Sequence, residues 1–260
     1  MNIQLFQVDA FADHLFGGNP AAVCPLDGWL DDHTMQHIAA ENNLSETAFV
    51  VPEKDGFRLR WFTPATEVDL CGHATLATSH VMFQHLDYPQ DKIVFYTKSG
   101  PLVVEREDDM YVMDFPSTPP KQVEAPPKLV DALGKEPERV LKSRDYVAVY
   151  EHEDEIARIK PKFSCLATLD SHLIIVTAKG NVADFVSRCF APAVGVNEDP
   201  VTGSAHTTLV PYWADRLGKK ELHAEQISKR RGELYCEYLG KRIKLKGRAV
   251  TYMIGVIDLD

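Results

Sequence analysis

One stretch of this chain occurs twice, and that repetition restricts the available folds more than any other feature. From Arg60 the sequence reads RWFTPATEVDLCGHATLATSH, and from Arg188 it reads RCFAPAVGVNEDPVTGSAHTTLV. Arg60, Phe62, Pro64, Ala65 and Val68 match Arg188, Phe190, Pro192, Ala193 and Val196. After a three-residue insertion, Cys71-Gly72-His73-Ala74 matches Thr202-Gly203-Ser204-Ala205. The spacing is close to half of the 260 residues, so an internal duplication is the simplest origin. Each copy then has about 130 residues, near the usual domain size.

The pattern of elements repeats with the motif. Residues 2–9 alternate like a strand, FGGNPAAV punctuates a turn, and 31–43 carries Met35, Ile38 and Ala39 at helical spacing. From His73 a run of small and apolar residues predicts a buried helix, and short strands joined by polar turns follow. Residues 116–127 hold five of the sixteen prolines, which makes them the linker candidate. Beyond them strands return, with a second helix from Gly203 that places Ala205, Leu209, Trp213 and Leu217 on one stripe. Strands in meanders with one buried helix per half indicate α+β. The expected fold is two pseudo-symmetric domains, 1–117 and 118–248, each a curved, mostly antiparallel sheet around a central helix. The last strand, about 249–260, is a candidate to return to the first domain.

Composition excludes several function classes. A formal charge of −10 disfavours nucleic acid and acidic membrane surfaces as partners. Five cysteines without C-x-x-C pairing argue against a disulfide scaffold or a zinc ribbon. No apolar run approaches the ~18 residues that span a bilayer, and the N-terminus lacks a signal-peptide pattern. A cytoplasmic location is expected.

In both copies a glycine opens the buried helix, Gly72 and Gly203. Helix starts present unpaired N–H groups and about half a positive charge, which suits an anion. If the copies pack about a pseudo-two-fold axis, both starts face one cleft and hold a small carboxylate. Copy one adds Asp69, Cys71 and His73; copy two adds Glu198, Asp199, Thr202, Ser204 and His206. Glu46 sits at the start of an otherwise apolar strand, where desolvation suits a carboxylate to carry a proton near neutral pH. Each of these residues also has an ordinary structural explanation. Glu46 could end a turn, His73 could be a satisfied core histidine, and Cys71 could be an inert buried thiol.

Together GGNPAAV, NNLSETAFV, DLCGHATLA and EDPVTGSAH, in that order, resemble the phenazine-biosynthesis-like family, PhzF, whose fold is similar to that of diaminopimelate epimerase. The resemblance covers essentially the whole chain. It implies two pseudo-symmetric domains with the site between them, no cofactor and a homodimer. It also implies isomerisation in the manner of trans-2,3-dihydro-3-hydroxyanthranilate isomerase, with a carboxyl side chain moving a proton between carbons. Residue by residue, that acid/base matches Glu46, the histidine after the motif glycine matches His73, and the aspartate and serine of the second motif match Asp199 and Ser204. Gly72 and Gly203 would offer backbone donors, and Asn19 would line the cleft.

The epimerase relatives use two cysteines, one at each helix start. Here Cys71 has Thr202 as its counterpart, and a hydroxyl titrates far above the ~8.5 of a free thiol, which disfavours a two-thiol racemase. The leading reading is a cofactor-independent isomerase of a small carboxylic acid, with Glu46, Asp199 and His73 catalytic. Gly72, Gly203, Ser204, Asn19, Cys71 and Thr202 then contact the substrate. A second reading makes Cys71 a nucleophile with His73 as its base, although side chains two apart on a helix do not face each other. A third is a metabolite-binding or interaction protein with the same fold and no turnover. No metal is expected, because Asp69, Cys71 and His73 lack a ligand pattern such as H-x-x-x-H.

Overall fold

The computed structural model describes residues 1–259, and the chain separates into two compact units. The first comprises Met1–Asp114 with Lys246–Asp260, and the second Phe115–Leu245. The last strand therefore belongs with the first unit.

In the first unit the order is β1 (Asn2–Ala10), β2 (Asn19–Pro25), α1 (Asp32–Asn42), β3 (Glu46–Glu53), β4 (Gly56–Phe62), β5 (Glu67–Val68) and α2 (Gly72–His85). β6 (Lys92–Thr97), β7 (Gly100–Glu107) and β8 (Met110–Pro116) follow. β1 pairs antiparallel with β2, β2 runs parallel to β3, and β3 pairs antiparallel with β4. β4 then takes β5 antiparallel at one end and β6 parallel at the other, and β7 continues from β6.

The second unit repeats this scheme. Its elements are β9 (Lys121–Val123), α3 (Pro127–Leu133), β10 (Arg139–Lys142), β11 (Tyr146–His152), α4 (Glu153–Ala157), α5 (Phe163–Leu166), β12 (Ile174–Lys179), β13 (Phe185–Ala191), β14 (Val196–Asp199) and α6 (Gly203–Leu217). β15 (Glu221–Gln226), β16 (Gly232–Tyr238), β17 (Arg242–Gly247) and β18 (Ala249–Asp258) complete the chain. β10–β11 is antiparallel, β11–β12 parallel, β12–β13 antiparallel, and β13 takes β14 antiparallel and β15 parallel. Each unit is thus a mixed sheet with two parallel pairs, not a plain meander. The parallel pairs arise where a helix carries the chain back between strands, as α1 does between β2 and β3 and α2 between β5 and β6.

Each long helix is buried by its own unit. Every residue of α2 from His73 to Phe83 is buried, as expected of a helix apolar nearly all round. In α6, Ala205, Leu209 and Trp213 of the expected stripe are buried. The proline-rich segment 116–127 is not a free connection, because β9 within it pairs with β10. Among the described residues no helix is long and apolar enough to cross a membrane.

The repeated motif has a shared structural use. Arg60 on β4 binds Glu67 on β5 through two N–H donors at 2.8 Å each, and Arg188 on β13 binds Glu198 on β14 at 2.7 and 2.9 Å. The guanidinium lies 5.1 Å from the Phe62 ring centre in one unit and 5.0 Å from that of Phe190 in the other. A bidentate pair of this kind fixes direction as well as distance. It sets the turn that delivers the chain to each helix start.

Candidate functional site

Three elements of the first unit begin at one place: β2 at Asn19, β3 at Glu46 and α2 at Gly72. The Gly17-Gly18 turn allows β2 to start there. Gly18 has φ +59, and a Cβ at that position would come 2.1 Å from the Ala10 carbonyl oxygen, so only glycine fits. Parallel pairing of β2 with β3 sets Ala21 opposite Glu46 and brings both strand starts to the same end.

The side chains there form a chain of contacts centred on His73. Its Nε2 lies 3.0 Å from Glu46 Oε2. On the other side of the ring, Nδ1 is 3.2 Å from the Asn19 amide nitrogen and 3.5 Å from Cys71 Sγ. An amide nitrogen only donates, so in neutral His73 the Nδ1 atom accepts and the proton sits on Nε2, the nitrogen nearer Glu46. Asn19, Cys71 and His73 are buried, whereas the Glu46 side chain keeps 17% exposure. Glu46 is thus partnered by an imidazole rather than enclosed by apolar groups alone.

Burial pushes the Cys71 thiol up to about 11, and the Glu46 charge adds to that. For His73 burial opposes protonation, but the charges of Cys71 and Glu46 outweigh it and hold the imidazole well above its usual value. A proton leaving Cys71 can be received at Nδ1 only while His73 is neutral, and the imidazolium so formed lies beside Glu46. The expectation that residues two apart cannot face each other fails here. Cys71 is the N-cap, in extended conformation (φ −143°, ψ 111°), so its side chain does not follow helical spacing.

Glu46, Cys71 and His73 each bring one ligand atom to within 4.8 Å of the others, so among the described residues they are the group of three that could hold a metal ion. Cys71 and Glu46 approach opposite nitrogens of the His73 ring. Asp69, the acidic residue beside them in sequence, is exposed, and its carbonyl accepts from Ser99.

The second unit places Asp199, Thr202, Gly203 and Ser204 at the start of α6. Thr202 donates to Asp199 Oδ2 at 2.5 Å. Gln226, fully buried at the end of β15, braces this corner. Its Oε1 accepts from the Thr202 backbone N–H at 2.9 Å, and its Nε2 donates to the Asp199 carbonyl at 2.8 Å. Cys189 Sγ lies 3.6 Å from the same Oε1. Sequence reasoning missed Gln226, for an amide closing a strand carries no signal of its own. His206 donates from Nδ1 to the Thr202 carbonyl at 2.9 Å, and burial lowers its pKa to about 4, so it is a neutral brace.

Sheet-and-helix units built this way define an epimerase-type fold. A hydroxyproline epimerase from Agrobacterium vitis with bound trans-4-hydroxy-L-proline is similar to the chain with a TM-score of 0.64 over 100% of this chain and 93% of that one, at 11% identity, which is a likeness of fold alone. Within that fold, residues 8–255 match the family described as phenazine biosynthesis-like protein, and the chain belongs to this PhzF family. A PhzF-family crystal structure from Enterococcus faecalis is similar with a TM-score of 0.98 and 45% identity, each chain covered completely. A Pseudomonas aeruginosa protein named as an uncharacterized isomerase is 54% identical over 259 residues, again with full coverage of both chains. On these comparisons the enzyme class is isomerase.

Proposed function

We propose that the protein isomerises a small carboxylic acid by moving a proton between carbons, with Glu46 as general acid and base and no organic cofactor. The observation that carries this reading is the placement of His73, with its Nε2 3.0 Å from Glu46 Oε2 and its other nitrogen engaged by Asn19 and Cys71. A carboxylate so faced is held in one orientation and kept ready to accept a proton from carbon. As the substrate becomes an enolate-like anion, the unpaired N–H groups and dipole at the Gly72 helix start lie in the same corner. Preorganised donors of this type supply roughly 3–4 kcal/mol. Protonated Glu46 then returns the proton to a second carbon, and His73 follows the change of charge. In the second unit Asp199, Ser204, Gly203 and Thr202 are the candidates for substrate contact. The sequence resemblance supports a cyclic, unsaturated acid of the trans-2,3-dihydro-3-hydroxyanthranilate type.

A second reading is favoured by the 3.5 Å approach of Cys71 Sγ to His73 Nδ1. Cys71 would act as a second proton carrier, with its thiol proton passing to Nδ1 as the thiolate takes up a proton from carbon. Deuterium exchange at carbon in D₂O, read by mass spectrometry over a panel of cyclic acids, tests both. Exchange lost in Glu46→Gln and kept in Cys71→Ser supports Glu46 as the base. Exchange kept in Glu46→Gln and lost in Cys71→Ser supports the thiol.

A further inference from the structure

The H-x-x-x-H spacing that is missing around His73 is present on α1, where residues 33–37 read HTMQH. Residues four apart lie on one face of a helix, and two histidines so spaced can ligate one ion. Met35, Ile38 and Ala39 take the buried face of α1, and His33 and His37 stand on its exposed side. Their rings do not extend separately into water. The ring centres lie 3.9 Å apart, with the planes at 59°. Two nitrogens bound tetrahedrally to one ion, each about 2.0–2.1 Å from it, are roughly 3.4 Å from each other. Rings this close therefore reach a chelating arrangement by rotation about their own side-chain bonds.

The backbone that carries the pair is held from several sides. Asp31 caps the helix, accepting from the Thr34 backbone N–H at 2.9 Å and from the Thr34 hydroxyl at 2.7 Å. Asp32 accepts from Arg60 at 2.8 Å, and Gln36 donates to the Thr63 carbonyl at 2.8 Å. A pair on a fixed frame loses little further freedom on chelation. The surrounding charge also favours a cation. The positive end of a helix opposes one, but Asp31 and Asp32 sit at that end, and α1 contains no lysine or arginine. Glu41 continues the same stripe. At about 6 Å of rise per four residues it lies too far along to ligate an ion held by His33 and His37, so it contributes only its charge. His37 and Glu41 also border a groove of about 570 Å³, where Asp258 adds a further carboxylate.

We infer that His33 and His37 chelate a late first-row divalent ion, Cu²⁺, Ni²⁺ or Zn²⁺, with water filling the remaining positions. Imidazole suits these ions, whereas Mg²⁺ and Ca²⁺ take oxygen ligands. The site is separate from the group of Glu46, Cys71 and His73, for it uses two imidazoles on an exposed helix face and no thiol. An ion held there spans successive turns of α1, the helix that joins β2 to β3. Because the unfolded chain does not hold the two rings together, binding stabilises the folded protein in proportion to the ion supplied.

The test is calorimetric titration of the untagged full-length protein with Ni²⁺ across micromolar concentrations. One tight equivalent is expected in the wild type. His33→Ala and His37→Ala should each weaken it by at least about tenfold, because the second imidazole binds intramolecularly. Both residues are exposed, and circular dichroism checks that the variants are folded. Cys71→Ser should bind as the wild type does, which separates this site from the buried group. With Cu²⁺, electron paramagnetic resonance should show coupling to two ring nitrogens, reduced to one in either alanine variant. The melting temperature should rise with Ni²⁺ in the wild type and stay unchanged in those variants. No binding by the wild type, unchanged binding in the folded alanine variants, or binding lost in Cys71→Ser overturns the inference.

Discussion

Replacing Gln226 with leucine should damage the second unit far more than a single buried amide suggests. The side chain is fully buried and bonds the Thr202 N–H, the Asp199 carbonyl and the Thr202 hydroxyl at 2.9, 2.8 and 3.2 Å. Leucine fills a similar volume but leaves a backbone donor and a backbone acceptor without partners. An unsatisfied buried polar group costs about 1–3 kcal/mol, so the two together cost about 2–6 kcal/mol, less if water enters. At roughly 2–4 °C per kcal/mol for a protein of this size, the melting temperature should fall by about 4–24 °C. Calorimetry on wild type and variant measures this. Release of Asp199 and Thr202 should also lower kcat/KM for any substrate of the enzyme. A Gln226→Leu variant that melts with the wild type would refute the assignment of Gln226 as the brace of this corner.

Glu46→Gln should lower turnover by about 10²–10⁴, the usual contribution of a positioned acid/base, with an unchanged circular dichroism spectrum. Neutral His206 is held at about 4 by burial, against 6.5 ordinarily. The unfolded chain therefore binds the extra proton between pH 6.5 and 4, and stability should fall as pH drops through that window, by about 3 kcal/mol at its foot. His206→Gln should flatten that part of the stability–pH curve, measured by urea unfolding. Iodoacetamide at pH 7.5 should label exposed Cys165 first and Cys71 slowly, because burial holds the Cys71 thiol near 11; peptide mapping reads the order. Rapid labelling of Cys71 would mean that the thiolate–imidazolium form dominates.

Much of the architecture was legible in the repeated motif. Two helix-opening glycines, two buried helices and the matched Arg60 and Arg188 follow from pattern alone, because a duplicated sequence must satisfy the same local physics twice. The parallel pairs β2–β3 and β4–β6 were not legible, since strand pairing depends on long-range register and leaves no local mark. The proline-rich segment 116–127 follows directly on the division at Asp114 and Phe115, and within it β9 still joins the sheet. At the site, Glu46, His73 and Asn19 were named from motifs, and the structure brings them together. The Cys71–His73 contact was misjudged because helical spacing was applied to a capping residue in extended conformation. Gln226 and Cys189 reach Thr202 only through tertiary packing, and sequence order does not encode that.

The central claim is that one carboxylate removes and returns the same proton. It is tested most directly by turning over, in H₂O, a substrate deuterated at the donor carbon, and by locating the label in the product. Transfer by Glu46 predicts that part of the deuterium appears at the new carbon, and that Glu46→Gln forms no product in the same time. Product that carries only solvent hydrogen, formed at an equal rate by Glu46→Gln, would contradict the account.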